Sequence, residues 1–313
     1  MNYEVNLYKK PEEGTLRIIC NEKNTSCLLW ISGYNDYFFH YHISDVLLQN
    51  NCDVYALSLK NYNFNVAGDD TTNDIIKNKN LFFCDNFNDY FDNIDKAIEV
   101  INKQKCYNKK YIYGHSLGGL IAISYLHKTH DNVQNLQFNG LILNSPFFDF
   151  RLSFTFKCIL YILSYILHPA YILRKTSLNS LNLLKEYLKN NYDIDQNRII
   201  IGTAPIYAGL LRQMFKYQRE IQKNKIQLSL PILVFMSDRE CEETRDMTRF
   251  PLNKKISELS GDDSLSIADI EKYIMNLSYD VHRIKVKNSI HDILAYKNAH
   301  GYVINKLLDF IRD

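Results

Sequence analysis

Short, continuously apolar runs alternate with longer amphipathic stretches along most of the chain, and that alternation narrows the fold more than any other feature. The runs lie at 27–32 (CLLWIS), 53–57 (DVYAL), 110–113, 140–143 (GLIL), 231–236 (PILVFM) and 282–287 (HRIKVK). Helical patterns separate them at 40–49, 87–104, 117–127, 267–276 and 298–312. Most of the runs lack the polar–apolar alternation of a half-exposed strand, so they are expected to be covered on both faces. Strands that alternate with helices of this length imply βαβ crossovers and a mostly parallel sheet, hence an α/β fold. The chain has 313 residues, 46% of them hydrophobic, enough for one large domain or one domain with an insertion.

The rhythm breaks once. Residues 147–228 carry no convincing strand and read as helices with loops. An all-helical insertion suggests a cap over the C-terminal edge of the sheet, where open α/β sheets bind ligands. The expected organisation is therefore a core built from 1–146 and 229–313, with a helical cap at 147–228. Inside the cap, 158–167 (CILYILSYIL) is apolar on every face. It falls short of the roughly 20 residues that cross a bilayer, so it is expected to form a buried or interfacial helix.

Composition removes several function classes. A net charge of +2, from 37 basic against 35 acidic residues, points to no nucleic-acid partner. Seven cysteines without CxxC spacing argue against a disulfide framework and a zinc site, and suggest reduced thiols. The first 20 residues lack a basic segment followed by an apolar one, so the expected setting is the cytosol.

The sharpest local feature is 109–126, KKYIYGHSLGGLIAISYL, where a strand pattern becomes a helix pattern within a few residues. Ser116 stands at the corner, with Gly114 and Gly118 two residues to either side. Gly-x-Ser-x-Gly between strand and helix is a nucleophile elbow: a strained turn lifts the serine hydroxyl above the sheet, beside a helix N-terminus. A serine hydroxyl needs a base to take its proton. Of the histidines that follow the last core strands, His282 falls within a strand pattern and His300 at a helix start. His291, in the loop just after the strand, is the base candidate. For the acid, Asp238 lies nearest a strand end, whereas Asp262 precedes the histidine by 29 residues, room for one helix and one strand. Any carboxylate that reaches Nδ1 would serve, so the residues alone leave this choice open.

The assembled pattern resembles the α/β-hydrolase fold, specifically its monoglyceride lipase, lysophospholipase and serine-aminopeptidase-like group. The resemblance rests on Ser32-Gly-Tyr-Asn-Asp-Tyr-Phe38, Gly114-His-Ser-Leu-Gly-Gly119, Asn144-Ser-Pro146 and His291-Asp292. It implies Asp262 as the acid, from the family's Asp-x-Val-Val-Asp pattern about 30 residues before the histidine, with Asp238 second and Asp263 third. It also implies an oxyanion hole from the backbone N–H groups of Leu117 and Tyr34. The chain departs from the family in having Ser32-Gly33 where relatives have His-Gly, and Lys60-Asn-Tyr-Asn63 where they often have Arg-Gly-x-Gly. Backbone donors survive the first change.

Three functional readings follow. The first is a serine hydrolase acting on small-molecule carboxylic esters, most plausibly lipid monoesters. Phe147, Phe148, Phe154, Phe156 and the 158–167 run would line an acyl-chain tunnel, and the cap would make transient contact with a membrane surface. The second is a peptidase or acyltransferase using the same acyl-enzyme; the proximal cap is poor in the acids that would hold a peptide's amine. His40-Tyr-His-Ile-Ser-Asp45 matches an acyltransferase spacing but lies far from any second motif and reads as chance. The third is a non-catalytic binding protein, which would normally have lost the nucleophile or the base. No metal or organic cofactor is expected, because a triad and backbone donors supply base and electrophile.

Overall fold

The computed structural model describes residues 1–8, 13–62, 80–129, 138–176, 188, 190–192, 204–241 and 261–312. Among them, the strands are β1 Asn2–Asn6, β2 Thr15–Ile19, β3 Ser26–Ile31, β4 Cys52–Ser58, β5 Lys109–His115, β6 Gly140–Asn144, β7 Ile172–Thr176, β8 Ala204–Tyr207, β9 Ile232–Ser237 and β10 Val281–Val286. The helices are α1 Tyr41–Gln49, α2 Asn88–Gln104, α3 Leu117–Thr129, α4 Phe154–Ile166, α5 Ala208–Gln222, α6 Ile267–Ile274 and α7 His300–Arg312. All six apolar runs are strands, and all five helical patterns are helices, with ends shifted by one or two residues.

Eight of these strands form one sheet in the order β1-β2-β4-β3-β5-β6-β9-β10. From β4 to β10 every pairing is parallel, and only β1–β2 and β2–β4 run antiparallel. Strands β3, β6 and β9 are buried at every position, as covering on both faces requires. Alternate residues of β3 and its neighbour β4 feed two separate cores. Leu29, Ile31, Tyr55 and Leu57 pack toward α2, α3 and α5, while Leu28, Trp30, Val54 and Ala56 pack toward α1 and α7. The N-terminal pair β1–β2 was not expected from sequence. Its segments, NYEVN and TLRII, mix polar and apolar positions at the antiparallel end of the sheet and lack the continuous apolar signal.

The inserted stretch departs from the all-helical expectation. It contains α4, then β7 and β8 paired as an antiparallel ribbon, then α5. A two-stranded ribbon needs only backbone pairing, so ILRKT and APIY carry no strand periodicity to read. Helix α5 returns to the core, with Tyr217 stacked on Phe87 at 5.1 Å. Helix α4 is not buried: among its residues only Ser164 is, and Phe154 and Ile166 are 80% and 73% exposed. Its apolar residues are therefore exposed and not part of the core.

The closest backbone approach sits where α3 meets β3. A Cβ on Gly118 would lie 2.5 Å from the carbonyl oxygens of both Ile31 and Ser32, closer than any side chain can approach backbone. Gly118→Ala is expected to destabilise the fold by about 1–3 kcal/mol, as overpacking does. Gly301→Ala, where nothing lies within 4 Å, is the control and should be neutral or slightly stabilising. Equal unfolding midpoints for the two variants would show that α3 can shift away from β3.

Candidate active site

The turn from β5 into α3 has the strain its sequence implies. Ser116 has φ +51°, a left-handed conformation that costs an L-residue about 1–2 kcal/mol. It persists because its surroundings hold it. The Ser116 N–H donates to the Asn144 carbonyl at 2.9 Å, and the Ser116 carbonyl accepts from Gly119 and Phe147 N–H at 3.0 and 3.1 Å. Gly114 leaves room for the helix start, since a Cβ there would lie 2.6 Å from the Gly118 oxygen. The expected oxyanion loop lies alongside: a Cβ on Gly33 would stand 3.2 Å from Ser116 Cβ. The adjacent Tyr34 anchors that loop by donating its hydroxyl to the Pro205 carbonyl of β8 at 2.7 Å. Leu117 is buried as the first residue of α3.

His291 follows β10 on a short loop. Asp238, at the end of β9, accepts the Asn288 N–H at 2.8 Å and so holds the loop rather than the imidazole. Asp262 reaches the imidazole instead. Its carboxylate oxygens lie 2.9 and 3.1 Å from His291 Nδ1, and both side chains are buried. Asp262 arrives by a detour. The Asp262 backbone forms a bridge with Glu240, with the Asp262 N–H donating to the Arg239 carbonyl and the Cys241 N–H to that of Asp262. The third candidate, Asp263, is turned to the Ser264 hydroxyl at 2.9 Å.

Electrostatics follow from this geometry. Burial pushes the Asp262 carboxyl up, but the charge of His291 and hydrogen bonds from His291, Leu265 N–H and Ser264 N–H outweigh it, leaving it below the ordinary carboxylate value. Burial alone would lower His291; Asp262 overcomes that and raises the imidazole to about 9. Asp263 is pushed up to about 6, first by burial and then by the neighbouring Asp262 charge. The structure thus brings Asp262 and His291 together and leaves Asp238 and Asp263 outside the pair. The residue before Ser116, His115, lies 5.0 Å from His291, ring to ring.

The cap phenylalanines divide. Phe148 is buried and Phe147 packs on Phe150 at 4.8 Å; their carbonyls accept from Gln222 and Gln218 of α5, at 3.0 and 3.4 Å. Phe154 and Phe156 are exposed on α4. The first pair thus packs against α5, and the second is on the exposed side of α4.

Two polar pairs had no assigned role in the sequence. His115 Nδ1 meets Asp36 at 2.9 Å, and the same carboxylate oxygen accepts the Gly33 N–H at 3.2 Å, joining the elbow to the loop after β3. Buried His40 meets buried Asp292 at 2.8 Å. Asp45, five residues after His40, is exposed on α1. Among the described residues, no cluster of His, Cys, Asp or Glu could hold a metal ion, and no helix is long and apolar enough to cross a membrane.

A family profile described as serine aminopeptidase, S33, matches residues 23–242. No curated protein matches by sequence. Among solved structures, the chain is similar to a soluble variant of monoglyceride lipase from Saccharomyces cerevisiae bound to a substrate analogue: TM-score 0.67, 15% identity, covering 96% of this chain and 92% of that one. It is also similar to Paleococcus ferrophilus monoacylglycerol lipase: TM-score 0.62, 14% identity, covering 99% and 98%. A thermostable carboxyl esterase from Bacillus coagulans with glycerol bound gives TM-score 0.59 at 14% identity, covering 100% and 97%. The shared architecture is the α/β-hydrolase fold.

The pair of Asp262 with His291 has a measurable consequence. By NMR, His291 should titrate above the ordinary histidine value of about 6.5. Asp262→Asn should bring that value down, because the charge stabilising the imidazolium is gone, whereas Asp238→Asn should leave it in place. A wild-type value below 6.5 would mean that burial outweighs the carboxylate.

Proposed function

The chain belongs to the serine aminopeptidase S33 family of α/β-hydrolases, and from that membership we propose that it is a serine hydrolase that cleaves lipid monoesters through an acyl-enzyme. The observation that carries the reading is the buried carboxylate of Asp262, 2.9 Å from His291 Nδ1. It fixes the tautomer that leaves Nε2 free to accept a proton, and it stabilises the imidazolium that then forms. His291 takes the proton of Ser116 as Oγ attacks the ester carbonyl. The negative charge that develops on the carbonyl oxygen is met by the N–H groups of Leu117 and Tyr34, each donor worth about 2.7–4 kcal/mol. Collapse expels the alcohol, which receives the proton from His291. Water, activated by the same histidine, then releases the acid.

The ester reading is favoured over a peptidase by the acids around the cap base. An aminopeptidase needs a carboxylate to hold a free amine. Asp149 is instead bonded to Lys157 at 2.7 Å, and Glu240 faces Arg151 at 3.3 Å. The lipid reading draws on α4. Phe154, Ile159, Ile162, Tyr165 and Ile166 are exposed on one short helix, with the apolar and aromatic side chains suited to a lipid–water interface. Its 13 residues span about 20 Å, too little to cross a bilayer.

The decisive test of the chemistry is labelling with a fluorophosphonate. Ser116→Ala should abolish both labelling and ester turnover with the fold intact. Asp262→Asn should cost about 10⁴-fold in rate, as the same change does in a serine protease triad. Labelling that survives Ser116→Ala would remove the reading.

The lipid assignment is tested separately. Catalytic efficiency should rise with acyl length before levelling, at up to about 0.8 kcal/mol per buried methylene. A double change, Ile162→Asp with Ile166→Asp, should release the protein from phosphatidylcholine vesicles in a flotation assay while leaving turnover of a short soluble ester near wild type. A flat chain-length profile with no vesicle binding would favour a small polar ester.

A further inference from the structure

Asn144 closes β6 in the core, with no exposure to solvent. Every hydrogen-bonding group of its side chain is engaged. Its Nδ2 donates to the Tyr113 hydroxyl and to Asp292 Oδ1, each at 2.8 Å, and its Oδ1 accepts the Ile293 N–H at 3.1 Å. Its backbone carbonyl accepts the Ser116 N–H at 2.9 Å. One residue therefore touches the elbow serine and both residues that follow His291. Asp292 continues the connection: its Oδ2 accepts from His40 Nε2 at 2.8 Å, and its Oδ1 also accepts the Ala295 N–H at 3.3 Å. His40 precedes α1, fully buried, stacked on Phe39 at 4.1 Å and 4.8 Å from Trp30.

We infer that Asn144, Asp292 and His40 are positioning residues that hold the His291 loop in register with the Ser116 elbow; this rests on the reading of Ser116 and His291 as nucleophile and base. None of the three touches a reacting atom in that chemistry. A buried carboxylate–imidazole pair is a poor means of stabilising a core, because well-packed apolar side chains of the same volume do as well or better. What such a pair supplies is a single allowed geometry, since a loop shift would strand several polar groups in a dry interior. The geometry fixed here is the separation between residue 116 and residue 291, to which attack on a carbonyl is most sensitive.

Burial would raise the Asp292 carboxyl, but the nearby His40 and His115, with the hydrogen bonds from His40 and Asn144, hold it well below the usual carboxylate range. It is thus a fixed negative charge next to the base. His291 also faces Asp262 and Asp263 from the acid turn and His115 from the elbow, with Asp36 behind His115.

The experiment compares wild type, Asp292→Asn and Asn144→Ala on a short soluble ester, with active sites counted by fluorophosphonate labelling. In both variants kcat per labelled site should fall by about 10- to 100-fold, with KM changed by less than about threefold. Asp292→Asn should also move the acidic limb of kcat/KM to lower pH, because removing a negative charge lowers the pKa of the imidazolium. A purely structural role would lower Tm and leave kcat per site and the acidic limb at wild-type values, and that result would overturn the inference. If Asn144→Ala does not fold, Asp292→Asn, which keeps the shape, decides alone. Failure of wild type to label at Ser116 is a different outcome: it removes the hydrolase reading and this inference with it.

Discussion

The left-handed turn at Ser116 is the constraint around which the rest is arranged. It lets a helix leave its strand at once, and that brings α3 so close to the carbonyls of Ile31 and Ser32 that a Cβ at residue 118 would lie 2.5 Å from both oxygens. The strain, about 1–2 kcal/mol, is offset in part by the hydrogen bond from the Ser116 N–H to Asn144 on the next strand. The elbow is therefore held from both sides by its neighbours in the sheet. The loop after β3 and the end of β6 flank β5 on its two sides, so the expected oxyanion loop and the Asn144 anchor are consequences of one packing solution.

The described part of the inserted segment meets three of the loops around the candidate site through polar contacts. Tyr34, in the loop after β3, donates to Pro205 of the ribbon. Arg151 at the cap base donates to the Cys241 carbonyl at 3.0 Å and pairs with Glu240, the residue bridged to Asp262. Tyr192 donates to the Ala295 carbonyl at 2.7 Å and meets His300 at 2.8 Å, just beyond His291. Individually these bonds are modest, about 0.5–1.5 kcal/mol each. Together they tie Pro205, Arg151 and Tyr192 to the loops around the candidate site.

How much of this was legible in the sequence depended on whether the deciding partner was local. The parallel strands were legible because burial on both faces leaves an uninterrupted apolar run, as in β3 and β9. The elbow was legible because its glycines and serine lie within five residues. The ribbon β7–β8 and the N-terminal pair β1–β2 were not, since their pairing is backbone to backbone and leaves little side-chain signature. The exposure of Phe154 and Phe156 was equally hidden: composition states that α4 is apolar, and only the fold states what covers it. His40 and Asp292 are 252 residues apart, so no local pattern marks them as partners.

The carboxylate that meets His291 shows why proximity to a strand end was a poor guide to that contact. Asp238 is near the His291 loop and is engaged by it, accepting the Asn288 N–H. A carboxylate in that position steadies the backbone but has no oxygen aimed at Nδ1. Asp262 comes from farther along the chain, is docked by its own backbone bridge to Glu240, and keeps its side chain for the imidazole. The same division recurs across the His291 loop. Asp262 binds the ring and sets where its proton resides, while Asp292 binds the surrounding backbone and side chains. Asp238, Asp262 and Asp292 thus hold three different parts of one loop, and only the carboxylate whose backbone is fixed elsewhere is free to meet the histidine.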